Sequence, residues 1–211
     1  MDDEREVRPN VVARRQQGAR SREAILAEAV RLATVEGIEG LSIARLAEAV
    51  GMSKSGLFAH FGSKEELQLA TVDAALAGFD ATVLTPAAAA QDGLTRVRAL
   101  AAGYFAYMQQ NPGGCFFASV LAEVDMQPGP LRDRLVAMLE GWIGVIADAV
   151  REAQRDGGLD PAEDADQLTF ELEAALLLAN MQYVVSHAAE PLERGRRMIE
   201  RRLAAAGAAP A

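Results

Sequence analysis

The sequence predicts an all-α protein in which a small N-terminal helix-turn-helix module precedes a larger helical domain. Three observations favour this fold class. Ala and Leu dominate, aromatic residues make up only 5% of the chain and β-branched runs are short, which is typical of helices. Apolar residues recur at helical spacing in segments that Gly and Pro separate. Near the N-terminus, a tight turn joins two short helical segments.

The first predicted elements are an arm and one helix. Residues 1–19 are polar and lack apolar periodicity, so they are expected to form a disordered arm. Residues 20–64 are expected to form the helix-turn-helix domain. Its first helix should run from about 20 to 36, and Gly37 should end it.

Serines mark the next three helix starts. Ser42 is the predicted N-cap of helix two, which ends at Gly51. Ser53 is the predicted N-cap of helix three, only about two turns long. Ser63 and Glu66 form a capping box that opens helix four.

Residues 65–211 are expected to form a second domain of long helices. The predicted helices span about 64–84, 92–110, 115–125, 131–155, 161–188 and 191–205, with Pro86 marking a connection and Pro161 opening the next-to-last helix.

The charge distribution bears on the class of partner. A net charge of −9 argues against a general nucleic-acid-binding protein. However, residues 8–64 have a net charge of +4, whereas residues 65–211 have −10. A basic segment on an acidic body indicates that only the first part contacts a polyanion. Chance variation in surface charge is the alternative.

Cysteine use and hydropathy indicate a cytoplasmic protein without a membrane span. Cys115 is the single cysteine, so no internal disulfide forms, and its apolar neighbours predict a buried, inert thiol rather than a redox sensor. The charged N-terminus does not resemble a signal peptide. The longest uncharged stretch, 99–122, is interrupted by QQNPGG.

Helix three has an apolar side and a side of small residues. On a helical wheel, Leu57, Phe58 and Phe61 fall together and are expected to face helices one and two. The opposite side lacks the Lys, Glu or Gln that a solvated face would usually carry.

Ser55, Gly56 and Ala59 form that opposite side. A helical Gly costs about 1 kcal/mol relative to Ala, so its presence needs a reason. Small residues let a helix approach base edges closely, where Ser55 can exchange hydrogen bonds and Ala59 can contact a thymine methyl. The alternative is a helical hairpin in which Gly56 serves tight packing.

Residues around this face are candidates for phosphate contacts. Lys54, His60 and Lys64 flank it. Ser53 lies at a helix N-terminus, where free amides and the helix dipole favour an anion. Ser42, the cap of helix two, completes the candidate DNA-binding set.

The stretch SIARLAEAVGMSKSGLFAHFGSKEEL, 42–67, resembles the DNA-binding signature of the tetracycline-repressor (TetR/AcrR) family. The turn, the aromatic–x–His–Phe ending and the SKEEL opening all fall in register. The resemblance implies a three-helix module that binds double-stranded DNA as part of a homodimer. It also implies a larger domain that dimerises and holds a small-molecule pocket. GGCFFASVLAEVDMQPGPLRD, 113–133, is similar to the C-terminal region of one regulator subgroup.

The chain departs from the family pattern at helix three. Ser55 and Gly56 stand where members commonly carry Gly then Thr. Phe58 and His60 stand where Tyr is frequent. Phe58 has no hydroxyl for a phosphate contact, and His60 is the candidate to replace it.

The resemblance directs attention to a ligand pocket in the second domain. Few central charges occur there, so a mainly apolar effector is expected. Most of the aromatic residues are expected to be ordinary core, and a few would line the pocket. The candidate lining residues are Tyr104, Met108, Phe116, Phe117 and Trp142.

The segment AALLLAN, 174–180, is apolar all round its helix, which predicts burial on both sides. A partner subunit would cover one side; a central helix of a monomer is the alternative. The predicted dimer interface comprises Leu177, Met181, Val184, Met198 and Ile199.

Other function classes find less support. His60 and His187 are the only histidines, and no metal-ligand spacing or Ser-His-Asp arrangement occurs, so no metal, cofactor or enzyme activity is expected. The prediction is a ligand-responsive regulator, a repressor by family tendency, that binds a palindromic operator. An enzyme with a scaffold helix-turn-helix and an interaction module without DNA binding are the rivals.

Overall fold

The computed structural model describes residues 9–124 and 128–207, and within these ranges it is helical without any strand. An N-terminal bundle of four helices leads into a second bundle that contains the long C-terminal helices. The helices are α1 (Pro9–Glu36), α2 (Ile43–Ala49), α3 (Lys54–Phe61), α4 (Lys64–Phe79), α5 (Thr85–Ala88), α6 (Gly93–Gln110), α7 (Phe116–Leu121), α8 (Pro130–Arg155), α9 (Ala165–Ser186) and α10 (Glu190–Ala205).

Helix α1 is longer than the apolar pattern predicted. It begins at Pro9, so residues 9–19 are helical where a disordered arm was expected. Residues 1–8 of that arm lie outside the described residues. Once a helix is nucleated, each further residue adds one hydrogen bond, so a segment can extend it without an apolar stripe.

The three serine caps form as predicted. Ser42, Ser53 and Ser63 each accept a hydrogen bond on Oγ from the amide three residues later, at 3.2, 3.1 and 3.0 Å. Only half of the predicted capping box is present, because the Ser63 amide donates to the Phe61 carbonyl at 2.7 Å rather than to Glu66. These caps fix where α2, α3 and α4 start.

Helix α4 passes from the first bundle into the second. A π turn over Asp80–Leu84 joins it to α5, and Pro86 lies inside the first turn of α5 instead of ending the rod. Pro86 has no amide hydrogen for the helix ladder, and the wider π turn before it accommodates the ring.

The rod from Lys64 to Ala88 has the length and mean hydropathy, 1.3, of a helix that could cross a membrane. Its first turns, however, belong to the core of the N-terminal bundle, where Leu67 and Val72 have no exposed surface. The apolar character is that of a helix shared by two cores.

Two glycines in the second bundle permit close helix contacts. A methyl group on Gly93 would lie 2.1 Å from the backbone nitrogen of Ala153 in α8. A methyl group on Gly195 in α10 would lie 2.9 Å from Cβ of Ala179 in α9. Both positions therefore require Gly if α6 and α10 are to keep their places.

Helix α9 starts later than Pro161 suggested. Asp164 is its N-cap, and Oδ1 accepts the amides of Asp166 and Gln167, both at 3.0 Å. Proline signals the end of the preceding segment, but the side chain that satisfies free amides decides where the helix begins.

Candidate nucleic-acid interface and internal cavity

The outward side of α3 is small and accessible. Ser55 and Ala59 are exposed, and Gly56 is half-buried. Leu57 and Phe61 face the bundle, with 0% and 3% of their surface exposed. The residues proposed for base contacts therefore share one open face of a short helix.

Phe58 does not face helices α1 and α2 as expected, because 56% of its surface is exposed. At about 100° per residue, Leu57 and Phe61 differ by only about 40°, whereas Phe58 lies at the rim of their stripe. Its apolar ring made the buried side look wider than it is. Phe58 thus borders the small face.

Gly56 does not serve a crossing between helices. A methyl group there would lie 3.0 Å from Ser53 Oγ and 3.7 Å from Met52 Cε. Within the described ranges, those atoms of its own cap and turn are what such a group would meet within 4 Å, rather than atoms of another helix. The packing alternative for this glycine loses its basis.

The flanking cations differ in their surroundings. Lys54 is exposed at the first turn of α3. Lys64 Nζ donates to the carbonyl oxygen of Glu39 at 2.8 Å and to its Oε2 at 3.2 Å. The His60 carbonyl accepts from Arg22 Nη1 at 2.9 Å, and His60 itself is half-buried. Of these side chains, Lys64 has an acidic partner.

Arg45 was missed in the sequence although it occupies the first turn of α2, three residues after Ser42. It is half-buried, and its Nε donates to Glu36 Oε2 at 2.9 Å while Nη2 donates to Oε1 at 2.5 Å. This bidentate bond lowers the pKa of Glu36 below its ordinary value. Its place beside an N-cap was the signal that could have identified it.

A partly open cavity of about 210 Å³ lies in the second bundle. Its aromatic wall holds the rings of Tyr104 and Trp142, stacked with centroids 5.9 Å apart, and the Phe79 ring, edge-on to Trp142 at 5.1 Å. The complete lining is Phe79, Tyr104, Cys115, Phe117, Ala118, Leu121, Met138, Leu139, Trp142, Glu173 and Leu177.

The structure separates the candidate pocket residues into two groups. Tyr104, Phe117 and Trp142 line the cavity. Met108 and Phe116 have no exposed surface and are absent from its lining, so they are core residues. Sequence periodicity shows that a residue is buried but not whether empty space adjoins it.

Glu173 is the charged residue among the lining residues that the sequence did not indicate. Trp142 Nε1 donates to its Oε2 at 2.8 Å. Burial raises the pKa of the Glu173 carboxyl, against the opposite effect of that hydrogen bond. The Tyr104 hydroxyl, in a residue only 2% exposed, has no hydrogen-bond partner in the described part of the chain.

Cys115 also lies in the cavity wall. It is 2% exposed, and burial raises the pKa of its thiol. A neutral buried thiol is poorly nucleophilic, which fits the inert role rather than a redox sensor.

The C-terminal helices present an apolar surface. We call the exposed row on α9 the α9 stripe; it comprises Phe170, Leu177, Leu178, Met181 and Val185. Among the predicted interface residues, Leu177, Met181 and Met198 are 37%, 64% and 51% exposed. Val184 is half-buried. Ile199 is 3% exposed and faces the core, so its assignment to a surface was wrong.

An all-helical chain whose capped helix-turn-helix is joined by one continuous rod to a second helical bundle defines a class of helix-turn-helix transcriptional regulators. Two family models match it: bacterial regulatory proteins of the tetR family over residues 25–71, and the tetracyclin repressor-like C-terminal domain over residues 93–199. Together they show that the chain belongs to the tetracycline-repressor family. Proteins of this family are DNA-binding regulators and not enzymes.

Individual relatives support this family assignment. The sequence is 48% identical to the HTH-type transcriptional repressor AcnR of Corynebacterium efficiens over 50 residues, 24% of this chain and only 27% of that protein. A TetR transcriptional regulator from Chloroflexus aurantiacus superposes with a TM-score of 0.81 and 28% identity, covering 90% of this chain and 96% of the other. AibR, solved with isovaleryl coenzyme A and operator DNA, shares the fold at a TM-score of 0.70 and 23% identity, with 85% and 97% covered.

Proposed function

We propose that the chain is a cytoplasmic transcriptional repressor that binds a palindromic operator as a homodimer and releases it when a small molecule fills the cavity. The open face of Ser55, Gly56 and Ala59 on α3 is the observation that carries this proposal. Two relatives support its parts. AcnR is named a transcriptional repressor, and AibR was solved with both operator DNA and an acyl coenzyme A.

In this proposal α3 enters the major groove with its small face toward the bases. Ser55 Oγ exchanges hydrogen bonds with base edges, and Ala59 contacts a thymine methyl. The exposed ring of Phe58 packs against the sugars at the rim of the groove. Lys54 and His60 lie where phosphates pass, so they add affinity with little sequence preference.

The N-termini of α2 and α3 supply further phosphate contacts. Ser42 and Ser53 cap these helices, and the first-turn amides that remain free favour an anion. Arg45 lies in the same turn as the amides that follow Ser42. We therefore add Arg45 to the residues proposed to contact DNA phosphates.

The α9 stripe is the basis of the proposed homodimer. A row of large exposed apolar side chains along one helix marks an interaction site on a soluble protein. Met198 of α10 adds to it on the neighbouring helix. Two copies related by a twofold axis would bury the stripe in a four-helix interface, and the same axis requires a palindromic operator.

Two structural connections link the cavity to the DNA-binding module. Phe79, in the cavity wall, ends the helix that begins at Lys64 beside α3. Phe117 lies on α7, and Glu123 just after α7 accepts a hydrogen bond from the amide of Glu39 at 3.4 Å. A ligand that binds more tightly to the state incompetent for DNA would release the operator.

A binding-site selection from random duplexes with the purified chain tests this function. We expect enrichment of an inverted repeat whose half-sites are about 10 bp, or a multiple of that, apart. Binding should weaken steeply with salt. A protein-interaction module would enrich no sequence and show no salt-dependent binding to DNA.

A further inference from the structure

The cavity holds a carboxylate that lacks a cationic partner. Within the described ranges, Glu173 forms no ion pair. The hydrogen bond that its carboxylate accepts comes from the neutral indole of Trp142. Glu173 is half-buried, and a carboxylate that loses contact with water is unfavourable unless it is paired and hydrogen-bonded. The site therefore has an unmet preference for positive charge.

A second polar group in the same wall also lacks a partner. The Tyr104 hydroxyl is buried and makes no hydrogen bond with the described residues. Tyr104, Cys115 and Glu173 line the same cavity. Burial raises the pKa of Tyr104, and the Cys115 thiol and the Glu173 carboxyl raise it further. Buried unsatisfied groups that converge on an empty space mark where a polar atom of a ligand would bind.

The remaining walls suit the apolar part of such a ligand. Apart from the polar atoms of Tyr104, Cys115 and Glu173, the lining is aromatic and aliphatic. A cavity of about 150 Å³ holds benzene. The cavity of about 210 Å³ in this chain therefore admits one ring with a short side chain. The stacked rings of Tyr104 and Trp142 can also attract a cation through their faces.

We propose that the cavity binds a small organic cation, an ammonium group on an apolar or aromatic body, with the charge beside the Glu173 carboxylate. This refines the mainly apolar effector expected from the sequence. It rests on the proposed function for the consequence at the operator, whereas binding itself can be measured without DNA. A neutral apolar ligand would leave Glu173 and Tyr104 unsatisfied, and an anion would be repelled.

The chain provides its own reporter, because Trp142 is the single tryptophan and lies in the cavity wall. Three probes of similar size separate charge from shape: 2-phenylethylammonium, 2-phenylethanol and 3-phenylpropanoate. Titration of Trp142 fluorescence at neutral pH should show saturable binding of the ammonium at least tenfold tighter than the alcohol. The anion should give no saturable change over the same range.

Glu173→Gln keeps the size of the side chain and an acceptor for Trp142, and it should abolish the preference for the ammonium. Glu140→Gln, on the exposed surface of α8, is the matched control and should leave it unchanged. Equal affinities for ammonium and alcohol, no saturable signal with the ammonium, or a preference that survives Glu173→Gln would overturn the proposal.

Operator release is measured separately. An ammonium that binds beside Trp142 without releasing DNA leaves the cation site intact and refutes the effector role. If neutral or anionic compounds release the operator as well as the ammonium does, the cavity keeps its effector role but the proposed cation site is refuted.

Discussion

Lys64 Nζ lies 2.8 Å from the carbonyl oxygen of Glu39 and 3.2 Å from its carboxylate, so a cation expected to meet a phosphate already has an acidic partner. An exposed ion pair of this kind contributes about 0–1 kcal/mol. It can therefore open when DNA arrives. The Glu39 carboxylate nevertheless lies where a phosphate would approach Lys64.

Glu39→Gln should strengthen binding to operator and random duplexes alike, by a few-fold at low salt. The change removes a negative charge beside Lys64 without altering the α1–α2 loop. Fluorescence anisotropy over a salt series measures both affinities. Glu140→Gln controls for net charge, and an equal gain in that variant would contradict the local explanation.

Lys64→Ala should weaken binding to every sequence and reduce the slope of log K against log salt by about 1, because a phosphate contact carries no base information. The same anisotropy series gives the slope. An unchanged slope would mean that Lys64 stays with Glu39 in the complex.

Ala59→Leu tests the groove assignment with the least disturbance of the fold. Ala59 is exposed, Leu is a good helix former, and the added bulk lies far from the cap. Specific binding should be lost while circular dichroism and the melting temperature stay near native. A folded variant that binds its operator with native affinity would refute the assignment.

Gly56→Leu should also abolish specific binding, but with some loss of stability. The new side chain would crowd Ser53 Oγ, and disturbing an N-cap costs about 0.5–2 kcal/mol. Ser53→Ala removes the cap without adding bulk and is the matched control for stability. Ser55→Ala, by contrast, should relax sequence preference more than it lowers non-specific affinity.

Met181→Glu should convert a homodimer into a monomer, because it places a charge in the middle of the α9 stripe. Met181 is preferable to Leu177, which also lines the cavity and would confound the result. Sedimentation velocity at micromolar concentration decides the matter, with Val35→Glu on α1 as an exposed control. A native chain that sediments as a monomer would refute the proposed interface.

Because burial raises the pKa of Glu173, we expect both the stability of the fold and the binding of an ammonium to depend on pH. Burial raises this pKa in the folded chain, so folding is penalised as pH rises from the unfolded pKa through the folded one. Glu173→Gln should therefore raise the melting temperature at pH 7, and the gain should vanish near pH 4. Thermal melts across this range measure it, and a constant difference would contradict the linkage.

Ammonium binding should become tighter as pH rises through the folded pKa of Glu173, since the carboxylate form attracts the cation. The other titratable groups in the cavity wall, Tyr104 and Cys115, have pKa values that burial raises, so both stay neutral over this range. Trp142 fluorescence titrations at several pH values test this. An affinity that is independent of pH would exclude Glu173 as the partner.

Local signals in the sequence predicted the DNA-binding module well. The Ser42, Ser53 and Ser63 caps each act within three residues, so spacing alone identifies them. Phe58 was misplaced because a two-turn helix gives a wheel too few residues to define the edge of its buried side. Its exposure depends on how α3 tilts against its neighbours, which no local pattern encodes.

Features that depend on distant residues could not be predicted. Lys64 meets Glu39 from 25 residues away, and Trp142 meets Glu173 from 31 residues away. Nothing in the residues next to Glu173 along the sequence indicates a contact with Trp142. Only the packing of α8 against α9 shows that its carboxyl enters the cavity.

The bidentate pair of Arg45 and Glu36 has a consequence for how the protein searches a genome. A genome offers roughly 10⁶–10⁹ competing sites for each operator, and random duplexes hold a protein mainly through its cations. With Arg45 and Lys64 both paired to acids, the unbound module presents less free positive charge to random DNA. Shorter residence at wrong sites would leave more molecules available to find the right one.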